Sequence, residues 1–125
     1  LGMEWAGEVV EVGPDAKGVK AGDLVMGSGA AAFAEYTLAD CGRLFRIPAG
    51  MDFSEAATLP IALTTMHNAL MTNGDLRPGQ SVLIQGASSG VGLMALQIAR
   101  MPIPDTYPPT ASVMPSTNSR NCGRA

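Results

Sequence analysis

The 125-residue chain is poor in charge, in aromatic residues, in cysteine and in histidine. Charged residues make up 15% and the net charge is only -3, with no basic cluster. This balance excludes nucleic acid and anionic membrane surfaces as partners. No apolar run approaches the roughly 20 residues of a membrane span. The N-terminus also lacks the basic and apolar regions of a signal peptide. The sequence therefore predicts a cytoplasmic protein that acts on small molecules.

Few side chains suited to metal binding or acid–base catalysis are present. Cys41 and Cys122 form no C-x-x-C pair, which indicates neither a zinc knuckle nor a disulfide framework. His67 is the only histidine, and no base or carboxylate is identifiable beside it, so we expect it to pack in or cover a helix. Tyr36 is expected to pack in a strand with its hydroxyl bonded. The catalytic residues stay unknown, and no metal ligand is assigned.

Hydrophobic residues make up 46% of the chain, enough to form a core. Up to about residue 50, short apolar runs alternate with glycine-containing turns, which predicts antiparallel strands at 9–12, 24–26 and 33–38. Trp5, Phe33 and Phe45 are expected in the core. After residue 52 we expect a short helix through Ala56 and Ala57, capped by Ser54. A second helix is expected from about 62 to 71, ending at Asn73-Gly74.

A glycine-rich turn is the strongest sign of chemistry. Residues 82–84 read as a buried strand, and an apolar helix begins near Gly90. The glycines of 86–92 let a phosphate approach the backbone, and the N–H groups and dipole of the helix attract it. Ser88 and Ser89 could add hydroxyl donors. The pattern therefore predicts a dinucleotide site, the alternative being a turn that only packs a helix on a sheet.

Five segments, read in order, resemble the medium-chain dehydrogenases/reductases, and most closely their quinone oxidoreductase branch. The resemblance covers about residues 1 to 101. The segments are Leu1-Gly2-Met3-Glu4-Trp5-Ala6-Gly7-Glu8-Val9-Val10, Val19-Lys20-Ala21-Gly22-Asp23-Leu24-Val25, Ala32-Phe33-Ala34-Glu35-Tyr36, Ala56-Ala57-Thr58-Leu59-Pro60 and Gly86-Ala87-Ser88-Ser89-Gly90-Val91-Gly92. A short-chain dehydrogenase shares the glycine spacing, but this chain has no Tyr-x-x-x-Lys pair.

The resemblance implies an α/β fold: part of a GroES-like β domain followed by the first β-α unit of a Rossmann nucleotide-binding domain. It assigns 1–52 to an incomplete GroES-like domain and 53–101 to the start of the Rossmann domain. It implies hydride transfer from NADPH to a quinone or enone, with NADH as the alternative cofactor. An enoyl reductase or an alcohol dehydrogenase-like member of the same superfamily is the alternative enzyme. The residues implied along the pyrophosphate are Ala87, Ser88, Ser89, Gly90, Val91 and Gly92.

The same resemblance places Thr64 near the nicotinamide, the alternative being a helix threonine that bonds to a carbonyl one turn earlier. It also marks a departure, because the alcohol dehydrogenase branch has a metal-binding histidine where this chain has Met3 between Gly2 and Glu4. The four-cysteine zinc loop of that branch is missing too. A thioether is a poor zinc ligand, so no zinc is expected.

The resemblance fades after Met101, where five prolines fall among polar residues. Residues 102–125 are therefore expected to be irregular or disordered. The chain reads as a fragment of a longer gene, either truncated or frame-shifted. A single β-α unit leaves a sheet edge exposed, which favours association into a homo-oligomer. A fragment without catalysis of its own is the alternative to the reductase.

Overall fold

The computed structural model describes residues 1–103 and 121–124. It places the strands at β1 (Glu4–Glu8), β2 (Glu11–Val12), β3 (Leu24–Ser28), β4 (Leu38–Asp40), β5 (Leu44–Arg46) and β6 (Asn121–Arg124). The helices are α1 (Phe53–Ala56), α2 (Pro60–His67) and α3 (Gly90–Arg100). A 3₁₀ turn spans Cys41–Arg43, and a π-helix spans Asn68–Asn73 directly after α2.

The chain divides into two compact units, with the boundary after Ile61. The first unit holds two antiparallel three-stranded sheets, ordered β1-β3-β5 and β2-β6-β4. In the first sheet Trp5 of β1 lies opposite Gly27 of β3. A Cβ at Gly27 would lie 2.7 Å from the Trp5 ring, so glycine leaves the space that the indole fills. The core combines Trp5, Val9, Val25 and Ala39.

An ion pair between the buried Asp23 and the exposed Arg46 holds the turn that precedes β3. Asp23 is 7% exposed, and its Oδ2 accepts from the Lys20 backbone N–H at 3.0 Å and from Arg46 Nη2 at 3.1 Å. The same Nη2 donates to the Gly18 carbonyl at 2.9 Å. The Lys20 N–H and the Arg46 guanidinium hold the pKa of the Asp23 carboxyl below its usual value. The Val19-Lys20-Ala21-Gly22-Asp23 segment is therefore fixed to β5.

The second unit begins at Ala62 and contains most of α2, the π-helix and α3. Its core joins Leu70, Ala95 and Ile98, with Ile84 and Met94 among the side chains packed against them. Gly74 ends the π-helix. A Cβ at Gly74 would lie 2.6 Å from the Ala69 carbonyl oxygen, so the predicted Asn73-Gly74 stop is confirmed with a steric reason.

Several expectations about the first unit were wrong. Residues 33–37 form no strand, and β4 begins only at Leu38. Phe33, Phe45 and Tyr36 are 82%, 44% and 57% exposed, so only Trp5 of the predicted aromatic core is buried. An apolar run forms a strand only where a neighbouring strand can pair with it. The periodicity cannot show whether such a neighbour exists.

Three further differences concern caps, a cysteine and the tail. Asp52, and not Ser54, caps α1, because its Oδ1 accepts from the Glu55 N–H at 2.8 Å. Cys41 is disulfide-bonded, which spacing along the chain did not indicate. In the expected irregular tail, Asn121–Arg124 form β6 and pair with β2 and β4. Residues 104–120 and 125 lie outside the described residues.

Candidate functional site

The predicted turn and helix are confirmed, but the strand before them was wrong. α3 begins at Gly90 as expected. Residues 81–84 form no strand, and Val82 and Leu83 are 42% and 85% exposed. A parallel strand needs hydrogen-bonded neighbours, and no described strand lies beside this segment. Of residues 82–84, only Ile84 packs against the core of the second unit.

The Ser89 hydroxyl closes the turn by both accepting and donating a hydrogen bond. Its Oγ accepts from the Gly92 N–H at 3.1 Å and donates to the Gly86 carbonyl at 2.8 Å. Its backbone N–H donates to the same carbonyl at 3.0 Å. Ser89 is therefore the N-cap of α3, with its own donors used inside the turn. The expectation that its hydroxyl would donate to a phosphate does not fit this arrangement.

Close packing explains one glycine, and backbone conformation explains another. A Cβ at Gly92 would overlap the Gly86 carbonyl oxygen and lie 2.7 Å from the Cα of Ala87. Gly86 has φ +68, a left-handed conformation that favours glycine. At Gly90, by contrast, a Cβ would meet nothing within 4 Å. The turn is thus tight on its inner side and open where the helix begins.

The open side presents unpaired donors. In residues 1–103 and 121–124, the backbone N–H groups of Ala87, Ser88, Gly90 and Val91 have no hydrogen-bond acceptor, whereas the Gly92 N–H is used by Ser89. Val91 is 41% exposed. Unpaired N–H groups at the positive end of a helix form a natural anion site. The turn therefore fits a phosphate, with Ser89 and Gly92 shaping the backbone that would bind it.

Thr64 lies in α2 and is exposed. None of the side-chain hydrogen bonds of the described residues involves its hydroxyl, so the alternative of a bond to a carbonyl one turn earlier is not realised. The hydroxyl is available to a ligand. A cofactor contact by Thr64 stays a prediction.

Sequence reasoning missed the role of Glu4. Its Oε1 accepts from the Ile61 backbone N–H at 2.7 Å, in the first turn of α2. Pro60 has no N–H to satisfy, so Ile61 carries the first donor of that helix. A carboxylate at this end also complements the helix dipole. A capping residue so distant in sequence from its helix leaves no local signal.

Met3 and the clustering of metal-binding side chains bear on the expectation that zinc is absent, which stays a prediction. Met3 is 69% exposed. The described residues contain no cluster of three or more His, Cys, Asp or Glu side chains that could hold a metal ion. In the same part of the chain, no helix is long and apolar enough to cross a membrane. The predicted cytoplasmic location stays a prediction.

The chain is similar to known proteins over about four fifths of its length. The alcohol dehydrogenase GroES-like domain matches residues 1–49. Erythronolide synthase EryA2 of Saccharopolyspora erythraea is 46% identical over 100 residues, which is 80% of this chain and 3% of that protein. Quinone oxidoreductase of Homo sapiens is 40% identical over 101 residues, which is 79% of this chain and 31% of that enzyme.

A solved structure extends the match to the fold. The CurK enoyl reductase superposes with a TM-score of 0.74 at 35% identity, covering 79% of this chain and 30% of that one. The chain thus spans under a third of these relatives. With its GroES-like strands, its glycine turn and relatives of both reductase types, the chain belongs to the medium-chain dehydrogenase/reductase superfamily.

Proposed function

We propose that this protein is an NADPH-dependent oxidoreductase that transfers hydride to a quinone or enone-type substrate without zinc. The observation that carries the proposal is the start of α3, where the Gly90 and Val91 N–H groups have no acceptor among the described residues. The relatives named quinone oxidoreductase and enoyl reductase support the reaction class.

The chain's own residues divide into those that bind and those that hold the turn. The N–H groups of Gly90 and Val91 bind the pyrophosphate, and Ser88 is available beside them. Ser89 and Gly92 keep the backbone in place. The bound cofactor supplies hydride. Thr64 contacts its nicotinamide end in this proposal, because its exposed hydroxyl has no hydrogen-bond partner among the described residues.

Zinc independence rests on the side chain at position 3. Met3 stands where the zinc-dependent branch has a histidine ligand, and a thioether is a poor ligand for zinc. Without a metal, the reaction depends on positioning substrate against cofactor, and solvent can supply the proton. We expect NADPH oxidation to be unchanged by a chelator. Loss of activity with chelator and its recovery with zinc would refute this part.

An enoyl reductase acting on acyl thioesters is the second candidate. The similarity to erythronolide synthase EryA2 and to the CurK enoyl reductase favours it. The two candidates share the cofactor site and differ only in substrate. NADPH oxidation measured with 1,4-benzoquinone, an enone and a crotonyl thioester, each repeated with NADH, separates them.

Cofactor binding is tested with Gly90→Asp and Gly90→Ala. The Cβ at position 90 meets nothing, and a carboxylate at a helix start is favourable, so both variants should fold as the wild type does. The new carboxylate repels the pyrophosphate. We expect Gly90→Asp to weaken NADPH binding at least tenfold in a fluorescence titration, with Gly90→Ala affected much less. Equal binding by Gly90→Asp and wild type would refute the site.

The wild-type titration decides a broader question. If the chain shows no saturable NADPH binding while its circular dichroism shows the helices, then it has no oxidoreductase activity of its own. If it binds NADPH but oxidises it with none of the substrates, then the cofactor proposal stands and the reaction does not.

A further inference from the structure

The first unit carries an open groove of about 800 Å³, a volume typical of small-molecule sites. Most of its lining is apolar, with Met3, Ala30, Ala31 and Ile61 among its residues, and Arg43 is the only charged side chain in the lining. We call it the Arg43 groove. All of its lining residues lie in the first unit.

Arg43 differs from Arg46, the neighbouring arginine of this unit. Arg46 is bound to Asp23 and to the Gly18 carbonyl. The exposed Arg43 guanidinium has no ion pair or hydrogen bond among residues 1–103 and 121–124. A guanidinium offers a planar fork of donors that matches a carboxylate. The groove therefore joins an apolar surface to an unpaired cation.

The groove wall is held in an unusual conformation. Ala31 has φ +62, which is uncommon for a residue other than glycine. Backbone hydrogen bonds hold the loop on either side of Ala31. The Gly29 N–H donates to the Met3 carbonyl at 2.9 Å, and the Phe33 N–H donates to the Leu1 carbonyl at 3.0 Å. Such backbone conformations concentrate at ligand sites. Backbone hydrogen bonds therefore hold the loop that forms this wall of the groove.

We infer that the Arg43 groove binds an aliphatic chain of medium length that ends in a carboxylate, with the chain along Met3, Ala30 and Ile61 and the carboxylate on Arg43. The inference goes beyond the proposed function, because this ligand needs neither a quinone nor an enone group to occupy the groove. Binding itself needs neither NADPH nor turnover.

The test is a titration of the full chain, without cofactor, using 11-(dansylamino)undecanoic acid, whose fluorescence rises in an apolar site. We expect saturable binding by wild type. Loss of a charge-assisted hydrogen bond should weaken binding about tenfold or more in Arg43→Met, with Arg43→Lys intermediate. Arg100→Met removes the same charge from α3 and is the matched control. The methyl ester of the probe should bind wild type and Arg43→Met about equally.

Two further measurements keep the outcomes separate. Ala30→Phe should fill the groove and abolish binding of acid and ester alike, while NADPH titration stays as in wild type. Loss of NADPH binding with probe binding retained would refute the proposed function and leave the groove standing. The inference is overturned if wild type shows no saturable binding, or if Arg43→Met binds the acid as tightly as wild type does.

Discussion

Gly92→Ala should damage the glycine turn, whereas Gly90→Ala should not. The two glycines lie in the first turn of the same helix and differ in what a methyl group would meet. At position 92 it would overlap the Gly86 carbonyl oxygen and lie 2.7 Å from the Cα of Ala87. Both are backbone atoms that cannot rotate away. At position 90 it would meet nothing within 4 Å.

The magnitude follows from two opposing effects. Replacing glycine by alanine in a helix gains roughly 0.8–1 kcal/mol from propensity. Forcing a methyl group into a packed site costs typically about 1–3 kcal/mol, and more against backbone. At Gly92 the steric cost exceeds the gain, so we expect a net loss of about 1–2 kcal/mol. Gly90→Ala should keep stability unchanged or raise it by up to about 1 kcal/mol.

Urea unfolding followed by circular dichroism at 222 nm measures the difference. Hydrogen exchange should locate it, with faster exchange at the Gly92 and Leu93 N–H groups that Ser89 holds. NADPH binding should weaken in Gly92→Ala, since the donors at the helix start would move. If Gly92→Ala is as stable as Gly90→Ala and exchanges like wild type, then the close packing inferred for this turn is wrong.

Three other substitutions test separate features. Ser89→Ala removes the cap of α3 and should cost about 1 kcal/mol of unfolding free energy in urea. Ser88→Ala, which loses no hydrogen bond to any described residue, is the control, and equal stability of the two variants would contradict the cap. The pKa of Asp23 is lowered in the folded protein, so its ionised carboxylate stabilises the fold above the unfolded-state pKa near 4. This stabilisation is lost as the pH falls through the folded-state pKa. Thermal unfolding from pH 6 to 2 should therefore fall less steeply in Asp23→Asn, and an identical slope would argue against the ion pair. Gly27→Ala should displace the Trp5 indole, shifting its fluorescence to longer wavelength and destabilising by about 1–3 kcal/mol; an unchanged spectrum would count against this contact.

Features that depend on neighbouring residues were predictable. The Gly90 start of α3 depends on the Ser89 cap directly before it, and the stop at Gly74 depends on the nearby Ala69 carbonyl. The sequence also predicted a phosphate-binding backbone at 87–92, and this stays a prediction. It did not show that Ser89 uses its own donors inside the turn, because a serine before a helix fits both a cap and a ligand.

Features that depend on distant partners were not predictable. Residues 82–84 have the composition of a strand, yet strand formation needs a hydrogen-bonded neighbour, and none is described. Phe33 and Phe45 are apolar, yet burial depends on what packs over them. Glu4 caps a helix that begins 56 positions later at Pro60, a pairing that no local pattern encodes.

By itself, the sequence determined the turn, the helix after it and the family to which they belong, since these depend on glycine dihedrals, short-range donors and motif order. Within residues 1–103 and 121–124, tertiary structure alone decided which donors at the turn stay unpaired, which carboxylate caps α2 and which arginine beside the apolar groove has no partner. The physical reason is that a hydrogen bond or a buried contact needs two groups close together in space. Which groups meet depends on the fold and not on the neighbouring sequence.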